Sequence, residues 1–213
     1  MRSQPLSHHM LAFGLAALAG MVDALGLLRL GGLFVSFMSG NSTRMAVGVA
    51  TGSAVAATAA GLIAAFLAGV VAGALLARRA GRWRKQVVLA LVLVLLIMAA
   101  LLADRHGDLL TLPMAAAMGA VNNVFQRDGE VSIGVTYMTG ALVKMGQSIA
   151  AALAGGPRWG WLLWLMLWLS LIAGAIVGTV LFGAIGLDAL WVACAWSLLL
   201  LGWSLRLGPL PLA

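Results

Sequence analysis

The sequence predicts an all-α polytopic membrane protein built from two related halves, and three observations lead there. Hydrophobic residues make up 63% of the 213 and charged residues only 9%. Soluble domains carry about 25% charged residues, so this chain lacks the polar side chains needed to face water. Apolar runs able to cross a bilayer, which need about 20 residues each, recur along the whole length. Residues 61–77, 87–103, 161–182 and 190–205 are clear, 11–28 is a fifth, and 109–125 is a weaker sixth. Finally, residues 35–50 (VSFMSGNSTRMAVGVA) and 135–150 (VTYMTGALVKMGQSIA) share five identities in sixteen without a gap. Most of the other pairs are conservative, among them Phe37/Tyr137, Ser39/Thr139 and Arg44/Lys144. The strict alternation that a membrane barrel requires is absent.

At an offset of 100 residues the whole chain reads as a single membrane domain, residues 1–213, with one repeat over 9–103 and the other over 110–205. Each half is a helix, an irregular stretch, a short helix and two long helices. In the first half these fall at 9–28, 29–39, 40–52, 55–79 and 83–103. In the second they fall at 110–126, 127–139, 140–154, 158–183 and 187–205. Thirteen residues at 40–52 make roughly 20 Å of helix, too short for a hydrocarbon core of about 30 Å. The stretches ahead of the short helices, LGGLFVSF and EVSIGVTY, are β-branched and aromatic and follow Gly31-Gly32 or Gly129. They are expected to be extended. Non-helical backbone at membrane depth is tolerated only where protein or a watery cavity satisfies it, so these segments either re-enter or cross as broken helices. Arg2, an apolar stretch and Ala17-Leu18-Ala19 imitate a cleaved signal peptide. Because 11–28 is the counterpart of 112–131, it is read as part of the repeat.

The formal net charge of +7 does not point to nucleic acid. Five of thirteen basic residues, Arg78, Arg79, Arg82, Arg84 and Lys85, sit in one short loop. Basic loops stay on the cytoplasmic side. If the short segments re-enter, six helices span, both termini are inside, the loop with Asp104, Arg105, His106 and Asp108 is outside, and the halves are inverted. If they cross, eight helices span and the halves are parallel. Six is favoured over eight, although Arg29 then lies near the outer face. Gly48/Gly52, Gly69/Gly73 and Gly174/Gly178 have the GxxxG spacing that lets helix backbones approach closely. Packing within the chain is the first expectation for them and a homodimer seam the second.

Polar residues within the apolar runs are the candidates for function. Ser39-Gly40 and Thr139-Gly140 open the short helices, and a hydroxyl there is a good N-cap. A helix N-terminus carries about half a positive charge, so two such ends facing a common cavity would favour an anion. Arg44 and Lys144 lie one turn further in, and Asn41 adds a donor in the first copy where the second has Ala141. Asp23 lies deep in the first helix, with Asn123 in the matching place. A charge there costs at least ~2.5 kcal/mol on insertion scales, so Asp23 should have a partner, with Arg44 first and Lys144 second. That pair is either structural or a coupling site for a proton. Asn122, Gln126 and Arg127 line the same cavity or cap the helix end, with Asp128 and Glu130 beside Arg127. His8, His9 and His106 show no metal-ligand spacing, the lone Cys194 allows no internal disulfide, and no phosphate loop, dinucleotide fingerprint or catalytic constellation is present. No cofactor, no metal and no enzymatic activity are expected.

The first block, Gly20, Asp23, Ala24, Gly32, Phe34, Ser39, Gly40 and Asn41, resembles the signature of the YoaK-type family. Tyr137, Thr139, Gly140 and Lys144 resemble its second block, and residues 122–127 fill the place of its polar lead-in. The resemblance covers nearly the whole chain. It implies a small multi-pass protein of the bacterial inner membrane, in a domain class without an assigned activity. Beside the residues themselves, two functions stand open: a secondary transporter or permease for a small anionic solute, sited between 39–52 and 139–154, or a non-transporting membrane scaffold with structural ion pairs.

Overall fold

The computed structural model describes residues 6–103, 107–127, 130–131 and 134–208. Arg2, Asp104, Arg105, His106 and Asp128, weighed above for their charge, lie outside these residues. The described chain forms eight α-helices: α1 (Leu6–Leu30), α2 (Met38–Thr51), α3 (Val55–Ala80), α4 (Arg84–Leu102), α5 (Thr111–Ala120), α6 (Met138–Leu153), α7 (Leu162–Ile185) and α8 (Ala189–Arg206). Short 3-10 turns at Gly107–Leu110 and Val121–Asn123 extend α5 at both ends. One small antiparallel ladder, β1 (Gln126–Arg127) with β2 (Glu130–Val131), is the only pairing of strands among the described residues.

The helices stop where the backbone is released. Gly31 and Gly32, at φ of +62° and +133°, end α1 in conformations that a β-carbon disfavours. Gly52 ends α2 in the left-handed region, with Ser53 N donating to Gly48 O at 2.8 Å and Gly52 N to Val49 O at 3.4 Å. That is the Schellman arrangement, which satisfies the last carbonyls of a helix. His8–Leu30, Val55–Leu102 and Leu162–Arg206 are long and apolar enough to cross a membrane, and the last two stretches each contain two helices.

Packing rests on two parallel helix clasps of the same design. In one, α1 lies along α7; in the other, α5 lies along α3. A β-carbon on Gly174 would run into the Ala17 carbonyl, and one on Gly20 into the Leu171 carbonyl. Likewise a β-carbon on Gly69 would run into the Ala116 carbonyl, and one on Gly119 into the Phe66 carbonyl. One turn on, a β-carbon on Gly178 would lie 2.7 Å from Met21 O, and one on Gly73 would lie 3.2 Å from Ala120 O. Each GxxxG pair in α3 and α7 is therefore occupied within the chain. Between the clasps, α4 packs on α8 and α5, and α8 packs on α1. Leu15, Leu18, Leu89, Leu96, Met114 and Met118 are fully buried in this core.

Four long-range contacts show which helix ends share an end of the bundle. Lys85 Nζ lies 3.0 Å from His8 Nε2. Gln86 Nε2 donates to Ser204 O at 2.9 Å and to Gly208 O at 3.1 Å. The start of α1, the start of α4 and the end of α8 therefore meet at one end, together with the end of α3, which the turn at Gly81–Trp83 joins to α4. Arg29 Nε lies 3.0 Å from Asp108 Oδ1, which brings the end of α1 and the start of α5 together at the opposite end. The chain thus leaves α1 at that second end and begins α3 there too.

Candidate functional site

Residues 31–37 do not lead away from α1; they fold back along it. A β-carbon on Gly26 would lie 2.6 Å from Val35 Cγ1. Asp23 Oδ1 accepts hydrogen bonds from Val35 N at 2.9 Å and Ser36 N at 2.8 Å. Asn41, fully buried, closes a second ring on the same strand of chain. Its Oδ1 accepts from Phe34 N at 3.0 Å and its Nδ2 donates to Phe34 O at 2.6 Å. The segment is a run of turns and bends rather than the extended stretch expected; non-helical backbone inside an apolar bundle has groups that must be satisfied, and these two side chains do so at Phe34, Val35 and Ser36. Asp23 precedes the end of α1 by seven residues, so α2 begins about 10 Å inside that end.

The expected cation partner of Asp23 is replaced by these backbone donors. Arg29–Asp108 is the one acid–base ion pair among the described residues. Arg44 is exposed and its guanidinium lies against Gly32, where an added β-carbon would be 3.1 Å from Nη1. Lys144, also exposed, holds Nζ 4.9 Å from the ring centroid of Trp164, in cation–π range.

In the second half the anchor is Asn122 rather than Asn123. Asn122 Nδ2 donates to Thr136 Oγ1 at 2.9 Å and to Met118 O at 2.9 Å, and Thr136 Oγ1 donates to Asn122 Oδ1 at 3.1 Å. Thr136 corresponds to Ser36, so Asn122 does for its segment what Asp23 does for the first. Asn123 turns the other way and ties α5 to α3, donating to Val70 O at 3.1 Å and Ala120 O at 3.2 Å. The sequence carried a signal for this: Gly20-x-x-Asp23 aligns with Gly119-x-x-Asn122 at an offset of 99. The offset returns to 100 only after the intervening segment.

Ser39 and Thr139 are not the caps of the short helices. Both helices start two residues earlier than expected, at Met38 and Met138, with Phe37 and Tyr137 at the N-cap and no side-chain cap bond. The glycines that follow have a steric role. A β-carbon on Gly40 would collide with the Phe37 ring, and one on Gly140 with the Tyr137 ring. Ser39 is exposed, and its carbonyl accepts from Thr43 Oγ1 at 3.2 Å. The first turn of each short helix therefore presents its N–H groups without a side-chain acceptor, beside an exposed hydroxyl residue and with a cation one turn on.

Among the described residues, the two short helices pack on different long helices. α2 packs on α3, and α6 packs on α7. Gly48 admits the first turn of α3, since its β-carbon would lie 2.8 Å from Ala56 N. The three residues 52–54 hold α2 close to α3, whereas eight residues, 154–161, lead from α6 to α7, on which α6 is seated. Among the described residues, no three His, Cys, Asp or Glu side chains gather as metal ligands.

Comparison with known proteins agrees with the resemblance seen in the sequence. Residues 11–203 match the family described as "Protein of unknown function (DUF1275)". The UPF0700 transmembrane protein RA0705 of Rhizobium meliloti (strain 1021) is 42% identical over 190 residues, covering 89% of this chain and 83% of that protein. No solved structure matches. With a family match over residues 11–203, a 42% identical relative named as a transmembrane protein and three apolar stretches able to cross a membrane, the chain is a transmembrane protein and belongs to the DUF1275 family.

Proposed function

We propose that the chain is a six-crossing protein of the bacterial inner membrane, made of two inverted halves, and that it passes a small anionic solute along its re-entrant short helices. The shared helix ends support six crossings, because 31–54 begins and ends at one end of the bundle. The end that holds Arg78, Arg79, Arg82, Arg84, Lys85 and Arg206 is the cytoplasmic one by the charge rule. The matched clasps, the matched Phe37/Gly40 and Tyr137/Gly140 contacts and the opposite entry ends of α2 and α6 support the duplication and its inversion. A C-terminal reporter is expected to be active only in a cytoplasmic format; a periplasmic C-terminus would overturn the six-crossing reading.

The observation that carries the transport reading is the pair of side-chain-uncapped helix N-termini, at least one begun well inside the bundle, each followed by an exposed cation. N–H groups, helix dipole and cation together favour negative charge. Since α2 and α6 lie on different flanks, each serves as its own mouth, one for each membrane face. Ser39, Gly40 and Arg44 belong to the first, and Thr139, Gly140 and Lys144 to the second, while Asp23 is read as the anchor of the first mouth. In proteoliposomes, Arg44→Ala and Lys144→Ala are each expected to lower anion flux roughly tenfold, the equivalent of about 1.4 kcal/mol of lost attraction. Absence of flux for any anion tested, with both variants as stable as wild type, would end the transport reading.

A scaffold reading is favoured by one observation: Asp23 Oδ1 and the Asn41 amide are bonded to the chain's own backbone at Phe34, Val35 and Ser36. It expects no flux and unchanged stability in the Arg44 and Lys144 variants.

A further inference from the structure

We propose that the seam of α1, α7 and α8 is a binding site for an anionic phospholipid, with an acyl chain in an apolar cleft and the phosphate at a buried cationic cluster above it. The inference rests on the chain being in a membrane and not on its transporting anything.

The cluster lies at the end of the bundle where α1 and α4 begin and α8 finishes. Lys85 and Gln86 are each only 5% exposed, although they sit in the first turn of α4. Among the described residues, no carboxylate pairs with Lys85. The Lys85 ammonium lies against His8 Nε2, and Gln86 spends its amide nitrogen on two α8 carbonyls. Several buried polar atoms here have no hydrogen-bond partner among the described residues: His9 Nε2, Arg84 Nε, Gln86 Oε1 and Ser204 Oγ. A buried polar atom without a partner is destabilising, and more so beside charge. Of these, the guanidinium and the hydroxyl are donors, the imidazole can be one and Gln86 Oε1 is an acceptor, and beside them the Lys85 ammonium has further N–H groups beyond the one that meets His8. Positive charge, spare donors and no paired carboxylate are what a phosphate group takes.

The cleft begins one residue deeper on both helices. Met10 follows His9, and Trp203 precedes Ser204. From there Met10, Phe13 and Ala17 of α1 face Trp196, Leu200 and Trp203 of α8, with α7 closing the third side, around a cavity of about 340 Å³. Met10 to Ala17 and Trp203 to Trp196 each cover seven residues, so the cleft runs roughly 10 Å inward. Its wall has almost no polar demand. Ser170 Oγ donates to Met166 O at 2.7 Å, and Trp196 Nε1 donates to Gly14 O at 3.0 Å. α7 and α8 pack far more sparsely on each other than the corresponding α3 and α4 do, so this cleft opens sideways, toward lipid. A soluble anion would satisfy the cluster and leave the cleft empty. A phosphatidylcholine chain would fill the cleft and bring no net negative charge to the cluster. An anionic phospholipid meets both.

The test uses the full chain, delipidated in detergent, with three additions: phosphatidylglycerol, phosphatidylcholine of the same chains, and inorganic phosphate. Phosphatidylglycerol is expected to raise the unfolding temperature by roughly 5 °C and to remain bound in native mass spectrometry. The other two are expected to do neither. Lys85→Gln should weaken phosphatidylglycerol retention about tenfold, and Ala173→Trp, which fills the cleft from α7, should abolish it. Equal shifts with both lipids would overturn the proposal, as would a shift with phosphate alone that matches phosphatidylglycerol. Should Ala173→Trp not fold, Lys85→Gln decides: undiminished retention in that variant also overturns it.

Discussion

Replacing Gly174 with valine is expected to reduce the folded protein to a small fraction of its wild-type level, and Gly69→Val is expected to do the same. At both positions even one added carbon would overlap a backbone carbonyl, of Ala17 in one case and of Ala116 in the other. A carbonyl cannot rotate out of the way as a side-chain tip can, so the helix axes must separate. Overpacking usually costs about 1–3 kcal/mol, and an isopropyl group against backbone belongs at or above the top of that range. Separation also forfeits the close van der Waals contact that holds helices together where the hydrophobic effect is lost. Total stabilities run to about 5–15 kcal/mol, so one such change removes a large share. Gly146→Ala and Gly202→Ala provide the contrast, because nothing lies within 4 Å of an added β-carbon at either place. They should be neutral. Yield in the membrane and unfolding temperature in detergent check both sets, and a Gly174→Val protein melting within a degree or two of wild type would refute the clasp.

These glycines illustrate what a single sequence discloses in a protein of this kind. The GxxxG spacing of Gly69/Gly73 and Gly174/Gly178 was visible, as was their use inside the chain. Their partners were not, because the opposing surfaces are backbone carbonyls of alanine-rich turns, and backbone carries no letter. The element boundaries followed from apolar run length, to within a few residues for nearly all eight helices. The repeat at 35–50 and 135–150 located the short helices. The site was harder. Ser39 reads as a cap because hydroxyls often are caps, but the Phe37 ring packs over Gly40 and takes the position before the helix. Asn123 reads as the match of Asp23 when one fixed offset is imposed. Gly119 and Asn122 match Gly20 and Asp23 at an offset of 99, whereas 135–150 match 35–50 at 100. Arg44 reads as the partner of Asp23 because charge attracts charge. Folding the segment back along α1 brings two N–H groups to the carboxylate first, and their geometry is set by the chain itself.

Asp23 therefore yields the second large effect, and its two substitutions should separate widely. Asp23→Ala removes the acceptor of both Val35 N and Ser36 N. Each buried donor left unpaired costs about 1–3 kcal/mol, so the loss amounts to about 2–6 kcal/mol, and the start of α2 is released with it. Asp23→Asn keeps an oxygen at the same place. The charge-assisted part of the two bonds is lost, since bonds to an ionised acceptor are roughly twice as strong. In return, an uncompensated charge is removed from an apolar helix, which insertion scales value at about 2.5 kcal/mol or more. These two terms nearly cancel, and the second half already demonstrates a neutral anchor, for Asn122 holds Thr136 without any charge. The expected order of unfolding temperatures is wild type and Asp23→Asn together, with Asp23→Ala far below. Flux in the same proteoliposomes then distinguishes anchor from coupling group. An anchor leaves Asp23→Asn as active as it is stable. A stable Asp23→Asn protein that has lost solute flux, and regains none when a proton gradient is imposed, would instead assign the carboxylate a proton-carrying step.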